Sequence, residues 1–600
     1  MNKKLLLFLL VIILLVSVPV FTACTSTTST TSKTASTTKS VSTTAVTTSS
    51  SATQANWWDK FGTPQYGGSI VMRVRDMDPS FDSSSFMGLS DEWWEQLFVP
   101  NWTLDRNTWS FQFGNFVPQE YMVGGLAEKW SWTDPTTLAI TLHEGIKWQN
   151  KPPVNGREFT ADDVVFTFDR LMGTGHGYTA PNEAYTGFVG ALDKVTLTGK
   201  YTFDIKFKQA STWSNMRTIY ESIIQPYEAP EVVALGAHVN DGNMAIGTGP
   251  YQFSEITRGS VMTLVASSNY WNTDERYPNN KLPYIQKLQE IVIKDDSTAT
   301  AAFQTGKLDF MGSQGLLNKQ VMEKNNKDAV IMATPSSSTA AGMRIDLKPF
   351  SDIRVRKALQ MAINIDTIAK GYYSGAVVAE PLGNINPGEK GYAYAYADWP
   401  QSLKDEYSYN PTKAKALLTE AGYPNGFDTN LVFSPETADS AFFQIFKSMW
   451  ADIGVNVELK SMDRVTGDNF LASGKHDGLF GGGGGGTMPP QINVRTLTKG
   501  AVGNYEFLDD PVIQDCYEKI TGAATPEIAK QVVQTFDKHM IEQHYYITGP
   551  AATYYCFWQP YMKGFSGEVS PGRNGALALC PYFYAARVWI DQDLKTSMGR

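Results

Sequence analysis

Hydrophobic and polar positions change from a period of two to a helical period within residues 126–172. Residues 137–142 alternate between large apolar and smaller side chains, which predicts a β-strand with one buried face. A turn at Gly145 and a loop of proline, asparagine and glycine follow. Thr160 can cap the next helix, and Asp163 can complete a capping box with it. The apolar stripe of that helix is predicted to consist of Val164, Phe168 and Leu171.

Two later segments combine helical spacing with a capping residue in front. Asp352 is the predicted N-cap of a helix that starts at Ile353. Asn410 caps a second helix, which has Pro411 at its first position and ends at Gly422. The predicted buried stripes are Val355, Ala358, Leu359, Ala362 and Ile363 in the first helix, and Ala414, Leu417, Leu418 and Ala421 in the second.

Several short apolar runs between these helices are predicted to be strands. In the run at residues 247–253, Gly247 and Gly249 permit a tight turn and Pro250 fixes φ. A short helix that ends at Gly306 follows the strand predicted at residues 288–293. The predicted strands are residues 67–74, 247–253, 288–293 and 454–459.

Composition and charge narrow the class of protein. A chain of 600 residues is expected to form two or three lobes, each with its own core. The net charge of −9 is made of interspersed acids and bases without a basic stripe, which excludes a nucleic-acid partner. No Cys or His spacing suggests a metal site, and His539 and His544 are five residues apart. We therefore expect no metal and no cofactor.

The first 56 residues are predicted to contain a signal peptide and a disordered tether. Lys3 and Lys4 precede the apolar residues 5–20, a signal-peptide pattern that is short for a membrane span of about 20 residues. The residues up to Cys24 match a lipoprotein processing site, so Cys24 is predicted to be lipidated and to anchor the chain outside the membrane. An uncleaved anchor helix is the alternative. Residues 25–56 are Ser/Thr-rich and are predicted to be a disordered tether.

The other cysteines are Cys516, Cys556 and Cys580. They leave open one disulfide with a free thiol, or three thiols.

An ordered set of short motifs resembles the family 5 extracellular solute-binding proteins, the peptide, nickel and oligopeptide class that serves ABC importers. Each motif is weak alone, but they follow the order of the family across most of the chain. The resemblance rests on residues 126–172, 247–253, 269–271, 301–309, 350–359, 410–424 and 475–477.

The resemblance implies an α/β fold, a two-lobed periplasmic-binding-protein clamp of the large, three-subdomain, type II-like form with mixed sheets. Two crossover segments would act as its hinge, and residues 91–94 stand where the family has the first one. The implied regions are a signal peptide (1–24), a tether (25–56), lobe I (57–96, 222–335 and 554–600), a subdomain inserted in lobe I (97–221) and lobe II (336–553).

Tryptophans supply candidate contacts for the solute. Seven of the fifteen lie between Trp93 and Trp148, and a Trp face can stack on a sugar ring or pack a peptide side chain. Burial in the core is the competing interpretation for each of them. The candidates for solute contact are Trp93, Trp94, Trp102 and Trp109, whereas Trp130, Trp132 and Trp148 are predicted to be core residues.

The glycine run at residues 481–486 concerns the solute directly. In peptide-binding members of the family, a Gly-Trp pair and then an Asp stand at this place, and that Asp holds the α-amino group of the ligand. The corresponding positions here are Gly482, Gly483 and Gly486, so that carboxylate is missing and a buried ammonium would need another partner. Arg344 and Asp346, just after the predicted second crossover, are further candidates, with a surface ion pair as the alternative.

Three function classes remain open at this stage. The resemblance implies a monomeric, non-enzymatic binding protein that delivers a peptide, or alternatively an oligosaccharide, to an ABC permease. A secreted hydrolase would need a nucleophile and a base, and residues 564–567 fall short of the GxSxG motif; a carboxylate pair leaves little local trace. A signalling receptor with the same clamp cannot be distinguished from an importer component by sequence.

Overall fold

The computed structural model describes residues 56–75, 92–112, 116–182, 189–220, 227–236, 242–435, 440–482, 489–568 and 582–600. The predicted signal peptide, Cys24, most of the tether, Cys580, Gly483 and Gly486 lie outside these residues. Within them, no helix has the length and apolarity that crossing a membrane requires.

The strands follow the predicted alternation closely where it is regular. In chain order they are β1 Ser69–Val74, β2 Phe98–Pro100, β3 Met122–Gly124, β4 Ala127–Asp134, β5 Thr137–Leu142, β6 Leu192–Leu197, β7 Thr202–Phe207, β8 Tyr251–Thr257, β9 Val261–Ala266, β10 Thr273–Asp274, β11 Tyr277–Lys281, β12 Lys287–Val292, β13 Phe310–Gln314, β14 Val330–Met343, β15 Phe427–Phe433, β16 Val455–Ser461, β17 Leu479–Gly481, β18 Tyr546–Trp558, β19 Met562–Lys563 and β20 Trp589–Ile590.

The helices alternate with these strands along the chain. They are α1 Ala161–Met172, α2 Thr212–Tyr220, α3 Pro230–Ala234, α4 Asp296–Gln304, α5 Leu316–Asn325, α6 Ile353–Met361, α7 Ile365–Thr367, α8 Gln401–Glu406, α9 Pro411–Glu420, α10 Ser440–Ala451, α11 Arg464–Ala472, α12 Pro490–Thr496, α13 Pro511–Thr521, α14 Pro526–Glu542, α15 Tyr582–Arg587 and α16 Gln592–Ser597. A π-helical turn, Ile368–Tyr372, continues α7.

The predicted caps are present. The Thr160 side chain and Asp163 form the capping box of α1, which ends at the left-handed Gly173. Asp352 accepts a hydrogen bond from the backbone N–H of Arg354 at the start of α6, and Asn410 caps α9. These contacts span only a few residues, so the local sequence is sufficient to specify them.

A mixed sheet of ten strands forms the framework. Its order is β16-β15-β17-β14-β18-β13-β1-β12-β9-β8. Parallel pairs link β15 to β16 and β17 at one end, and β1 to β12 and β13 at the other. The two long central strands, β14 and β18, are antiparallel. This arrangement confirms the predicted α/β fold with mixed sheets.

Each part of the framework has its own core. The helices α6, α9 and α10 pack on the β15–β17 end, and residues of β1, β8, β9 and β12 form a core at the other end. A separate sheet of order β4-β5-β7-β6 packs with α1 around a third core.

The three tryptophans that are predicted to be core residues differ in how deeply they are buried. Trp148 is fully buried and Trp132 is half-buried against the β4–β7 core. Trp130 is 36% exposed, so the prediction was wrong for this residue. It lies on β4 at the edge of its sheet, where its ring contacts Phe98 but keeps one side open.

Candidate functional site

The two central strands carry the chain from one half of the large sheet to the other. Near Val330 and Trp558, β18 also pairs with β13. Near Gly342 and Tyr546, β14 also pairs with β17. The ladder between β14 and β18 shifts register between Pro335 and Ala340, so the regular pairing is interrupted where the strands pass between the two halves.

Our predicted lobe boundaries, after residues 335 and 553, fall on this interruption. Pro335 and Thr553 are register partners, and the first shift follows them directly. A proline cannot donate to a ladder and marks the end of regular pairing. The position suits a hinge because few interstrand hydrogen bonds need to change when the two halves rotate.

Glycines bring the strands close together on the β17 side. A Cβ atom on Gly342 would lie 2.2 Å from the ring of Phe480, its partner on β17. A Cβ atom on Gly481 would lie 2.5 Å from the Phe443 ring. Gly481, the first residue of the glycine run, is therefore required for packing between β17 and its neighbours. Gly482 follows with φ +137°, which favours glycine.

Three consecutive residues anchor the β17-side end of β18 to three different acids. His544 bonds to Glu406 at 3.0 Å, Tyr545 donates to Asp510 at 2.6 Å, and Tyr546 donates to Glu506. The partners lie 138, 35 and 40 residues away along the chain, so no local motif could reveal them. This set, which we call the acid anchors, fixes one end of the crossover strand.

The charges of the acid anchors differ because their surroundings differ. Burial would raise the pKa of Glu406, but bonds from His544 and Lys357 lower it to about 2. Burial would also raise the pKa of Asp510, but hydrogen bonds from His539 and Tyr545 outweigh it and hold this pKa well below its ordinary value.

Glu506 has no such cationic neighbour among the residues that the structure describes. Burial raises its pKa to about 7, although the bond from Tyr546 works in the opposite direction. Burial also lowers the pKa of His544. A neutral His544 can donate from Nε2 to the Glu406 carboxylate, while Lys357 supplies the compensating positive charge at 2.6 Å.

Trp93 and Trp94 lie beside the half of the sheet that contains β1 and β12, and the assignment of residues 91–94 to the first crossover stays a prediction. The rings of Trp93 and Trp94 are each 2% exposed and belong to the β1–β12 core. A Cβ on Gly247 would lie 2.1 Å from the carbonyl oxygen of Trp93, and one on Gly249 would meet the same backbone. Gly247 and Gly249 therefore permit close backbone packing, and the strand itself begins only at Tyr251.

Trp102 and Trp109 are also buried. The guanidinium of Arg106 lies 3.6 Å from the ring centroid of Trp57 and 4.5 Å from that of Trp102. Trp109 packs beside Phe116, with 6.4 Å between ring centroids, in a cluster shared with residues of α13 and α14. The four candidate tryptophans thus lie in three clusters, with Trp93 and Trp94 in one of them, and a role in solute contact stays a prediction for each.

Arg344 and Asp346 form an ion pair with additional structural contacts. The guanidinium binds both Asp346 oxygens, at 2.8 and 2.7 Å. It also donates to the carbonyls of Gly474 and His476 and lies 4.1 Å from the centroid of the Phe507 ring. The pair ties the end of β14 to the segment that leads into β17.

Two cysteines and one histidine lie at buried or hydrogen-bonded positions. Cys516 is a buried free thiol on α13, and Cys556 is buried on β18. His539 bonds to Asp510 at 2.7 Å. Across the part of the chain that the structure describes, no group of three or more potential metal ligands was found.

Comparison with known protein families shows which family the chain belongs to. The model of the bacterial extracellular solute-binding proteins, family 5, matches residues 122–505. The chain belongs to this family. Family 5 proteins bind solutes outside the cytoplasm and are not enzymes, so the prediction of a binding protein is confirmed and the hydrolase alternative is set aside.

Curated family 5 relatives are similar over part of their length. The dipeptide-binding protein of Escherichia coli K12 is 29% identical over 388 residues, which are 61% of this chain and 68% of the relative. A glutathione-binding protein of Pectobacterium atrosepticum is 28% identical over 334 residues, 55% of this chain and 59% of the relative. The chain therefore aligns with roughly three fifths of these proteins.

A solved family 5 structure shows the same fold over a larger share of the chain. The periplasmic binding protein of Helicobacter pylori, in complex with the peptide STSA, superposes with a TM-score of 0.68 at 18% identity. The match covers 88% of this chain and 99% of that one. The predicted two-lobed clamp fold is confirmed.

Proposed function

We propose that the protein captures a peptide-type solute between two lobes and delivers it to an ABC permease in the membrane. Family membership and the crossover pair β14–β18 support this proposal most directly. The two strands connect the halves of the sheet, and their ladder is interrupted between them. Closure about this position would enclose a solute without any chemical change to it.

The proposed lobes follow the sheet. Lobe I would contain β1, β8, β9, β12 and β13, and lobe II would contain β15, β16 and β17. The division at residues 335 and 553 is supported by the register shift of β14. The subdomain at residues 97–221 has its own four-stranded sheet, as expected for an insertion.

Peptide is the preferred solute because both relatives named above carry peptide-type ligands in their names, dipeptide and glutathione. The glycine run at residues 481–486 lacks the acid that would pair with a peptide amino group. A buried ammonium group would then need another partner. Within the described chain, Glu506 is a buried carboxylate that has no cation among its neighbours. We keep Gly482, Gly483 and Gly486 as solute neighbours, since β17 ends beside β14 at Gly481.

The location follows from the same proposal. Family 5 proteins are extracytoplasmic, and the motif ending at Cys24 would supply a lipid anchor on the outer side of the membrane. Residues 25–56 would then act as a tether, on the order of 30 Å for a flexible chain of this length, which allows the lobes to reach a neighbouring permease. We expect the protein to act as a monomer.

Native mass spectrometry tests the solute class. The protein is purified from Thr25 onwards, sprayed under native conditions, and then denatured to release bound molecules. A series of short peptides is the expected result. Hexose-spaced oligosaccharides would contradict the peptide proposal, and so would an empty protein whose melting temperature rises with sugars but not with peptides.

A further inference from the structure

A cavity lies where proposed lobe I meets the proposed inserted subdomain. It has a volume of about 330 Å³ and is lined by residues that follow β2, β3 and β5 and by residues around β10. Its lining includes none of the residues of the two crossover strands. The volume lies within the range of about 300–1,000 Å³ that small-molecule sites occupy.

An aromatic wall forms one side of the cavity. The Trp271 ring nitrogen donates to Glu95 at 3.0 Å, and Tyr270 donates to the other oxygen of that carboxylate at 2.8 Å. The indole is therefore held in one orientation. The His143 ring lies against it, with 5.0 Å between ring centroids. Trp102, one of the tryptophans considered for solute contact, lines the same cavity.

Asn101, Asn272 and His143 contribute polar groups to the same cavity. Asn101 and Asn272 use their side-chain oxygens to bind nearby backbone N–H groups. Their side-chain N–H groups, and both ring nitrogens of His143, have no hydrogen-bond partner among the residues that the structure describes. All three side chains line the cavity, so it offers hydrogen-bond donors and acceptors together.

The charges in the lining select a neutral ligand. Glu275 binds Arg587 through both oxygens, at 2.8 to 3.0 Å, so this pair cancels. Burial raises the pKa of Glu95 to about 7 and lowers that of His143, so the described residues of the lining give an anionic ligand no cation besides Arg587 to pair with. A simple ammonium ligand offers donors only and would leave the amides of Asn101 and Asn272 without acceptors.

We propose that this cavity is a second binding site, for a neutral hydroxylated ring of the pyranose type. The apolar face of such a ring can pack on Trp271. Its hydroxyl groups donate to Glu95 and accept from the two asparagines and His143. This site is independent of the proposed solute cleft and does not require that the cleft binds peptide.

Saturation-transfer NMR with the full protein tests the proposal. The probes are the methyl α-pyranosides of glucose, galactose and mannose, with ethylammonium and acetate as charged comparisons. We expect saturable binding of at least one pyranoside and no binding of the ions. A response to ethylammonium alone, or to none of the pyranosides, would overturn the assignment.

The variant His143→Ala locates the site. Because this imidazole has no hydrogen-bond partner in the described protein, its removal should leave the fold intact while weakening pyranoside binding about tenfold, equivalent to 1.4 kcal/mol. His143→Gln restores a donor and an acceptor and should recover part of the affinity. His176→Ala, which removes an imidazole that lies outside the cavity lining and bonds to Asp169, is the control for the loss of a histidine elsewhere.

Unchanged pyranoside affinity in His143→Ala would show that the sugar binds elsewhere, which rejects this cavity. A saturating peptide mixture distinguishes the two proposed sites. Pyranoside binding that persists with peptide present supports separate sites, whereas competition would place the sugar in the cleft and contradict the inference. Failure of peptide binding alone would leave the pyranoside result unaffected.

Discussion

At the scale of single residues, contacts that are distant in sequence decide the roles of the candidate side chains. The position of Arg344 after β14 suggests a ligand contact as readily as a structural one. Only the folded chain shows that its donors reach Asp346 and two carbonyls more than 100 residues away. The tryptophans present the same difficulty, since a stacking platform and a core both need large aromatic rings.

We predict that Arg344 stabilises the fold more than it binds solute. Arg344→Ala removes the bonds to the Gly474 and His476 carbonyls and should lower the free energy of unfolding by about 1–3 kcal/mol. Asp346→Ala leaves these two bonds in place and should cost less. Urea unfolding and peptide affinity are measured for both variants. A stable Arg344→Ala protein with lost affinity would instead identify a solute ligand.

The acid anchors give the stability a defined dependence on pH. The pKa of Glu406 is about 2 in the folded protein, against an ordinary value of 4.5. Its contribution to stability is therefore present above pH 4.5 and is lost as the pH falls from 4.5 towards 2. Glu406→Gln should lower stability at neutral pH and flatten the acid side of the profile in that range.

Urea midpoints across this pH range provide the measurement. An acid slope that is identical in the wild type and in Glu406→Gln would show that the bonds from His544 and Lys357 do not perturb this carboxylate. Glu542→Gln, at an exposed acid on α14, serves as the control and should keep the wild-type slope.

At the scale of secondary-structure elements, local sequence predicts much of what the structure contains. The capping box of α1, the caps of α6 and α9, and the alternation in β5 involve neighbours a few residues apart. The pairing of β14 with β18 joins segments more than 200 residues apart. No local pattern specifies that partner, so the sequence predicts the crossover positions only through the resemblance to the family.

Close strand packing predicts a clear effect of one methyl group. Gly342→Ala would place a Cβ 2.2 Å from the ring of Phe480, which is itself buried. Overpacking of this kind costs about 1–3 kcal/mol, so the melting temperature should fall. Gly371→Ala is the matched control, because a Cβ there meets nothing within 4 Å. Equal melting temperatures for the two variants would contradict the packing described for β14 and β17.

At the scale of the whole molecule, the account makes β14 and β18 the connection between two lobes that close on a solute. The sheet order and the interruption after Pro335 support this view. The sequence predicted the lobes through the order of family motifs, not through any property of the hinge itself. The identity of the solute depends on side chains from distant segments, so family membership alone leaves it open.

A distance measurement between spin labels tests lobe closure most directly. Labels are attached at Leu317→Cys on α5 and Val465→Cys on α11, where the native side chains are 72% and 69% exposed. Cys516 and Cys556 are buried, and Cys580 is replaced by Ser. With a mixture of short peptides, the account predicts a shorter and narrower distance distribution. A distribution unchanged by peptides, or narrowed only by oligosaccharides, would contradict it.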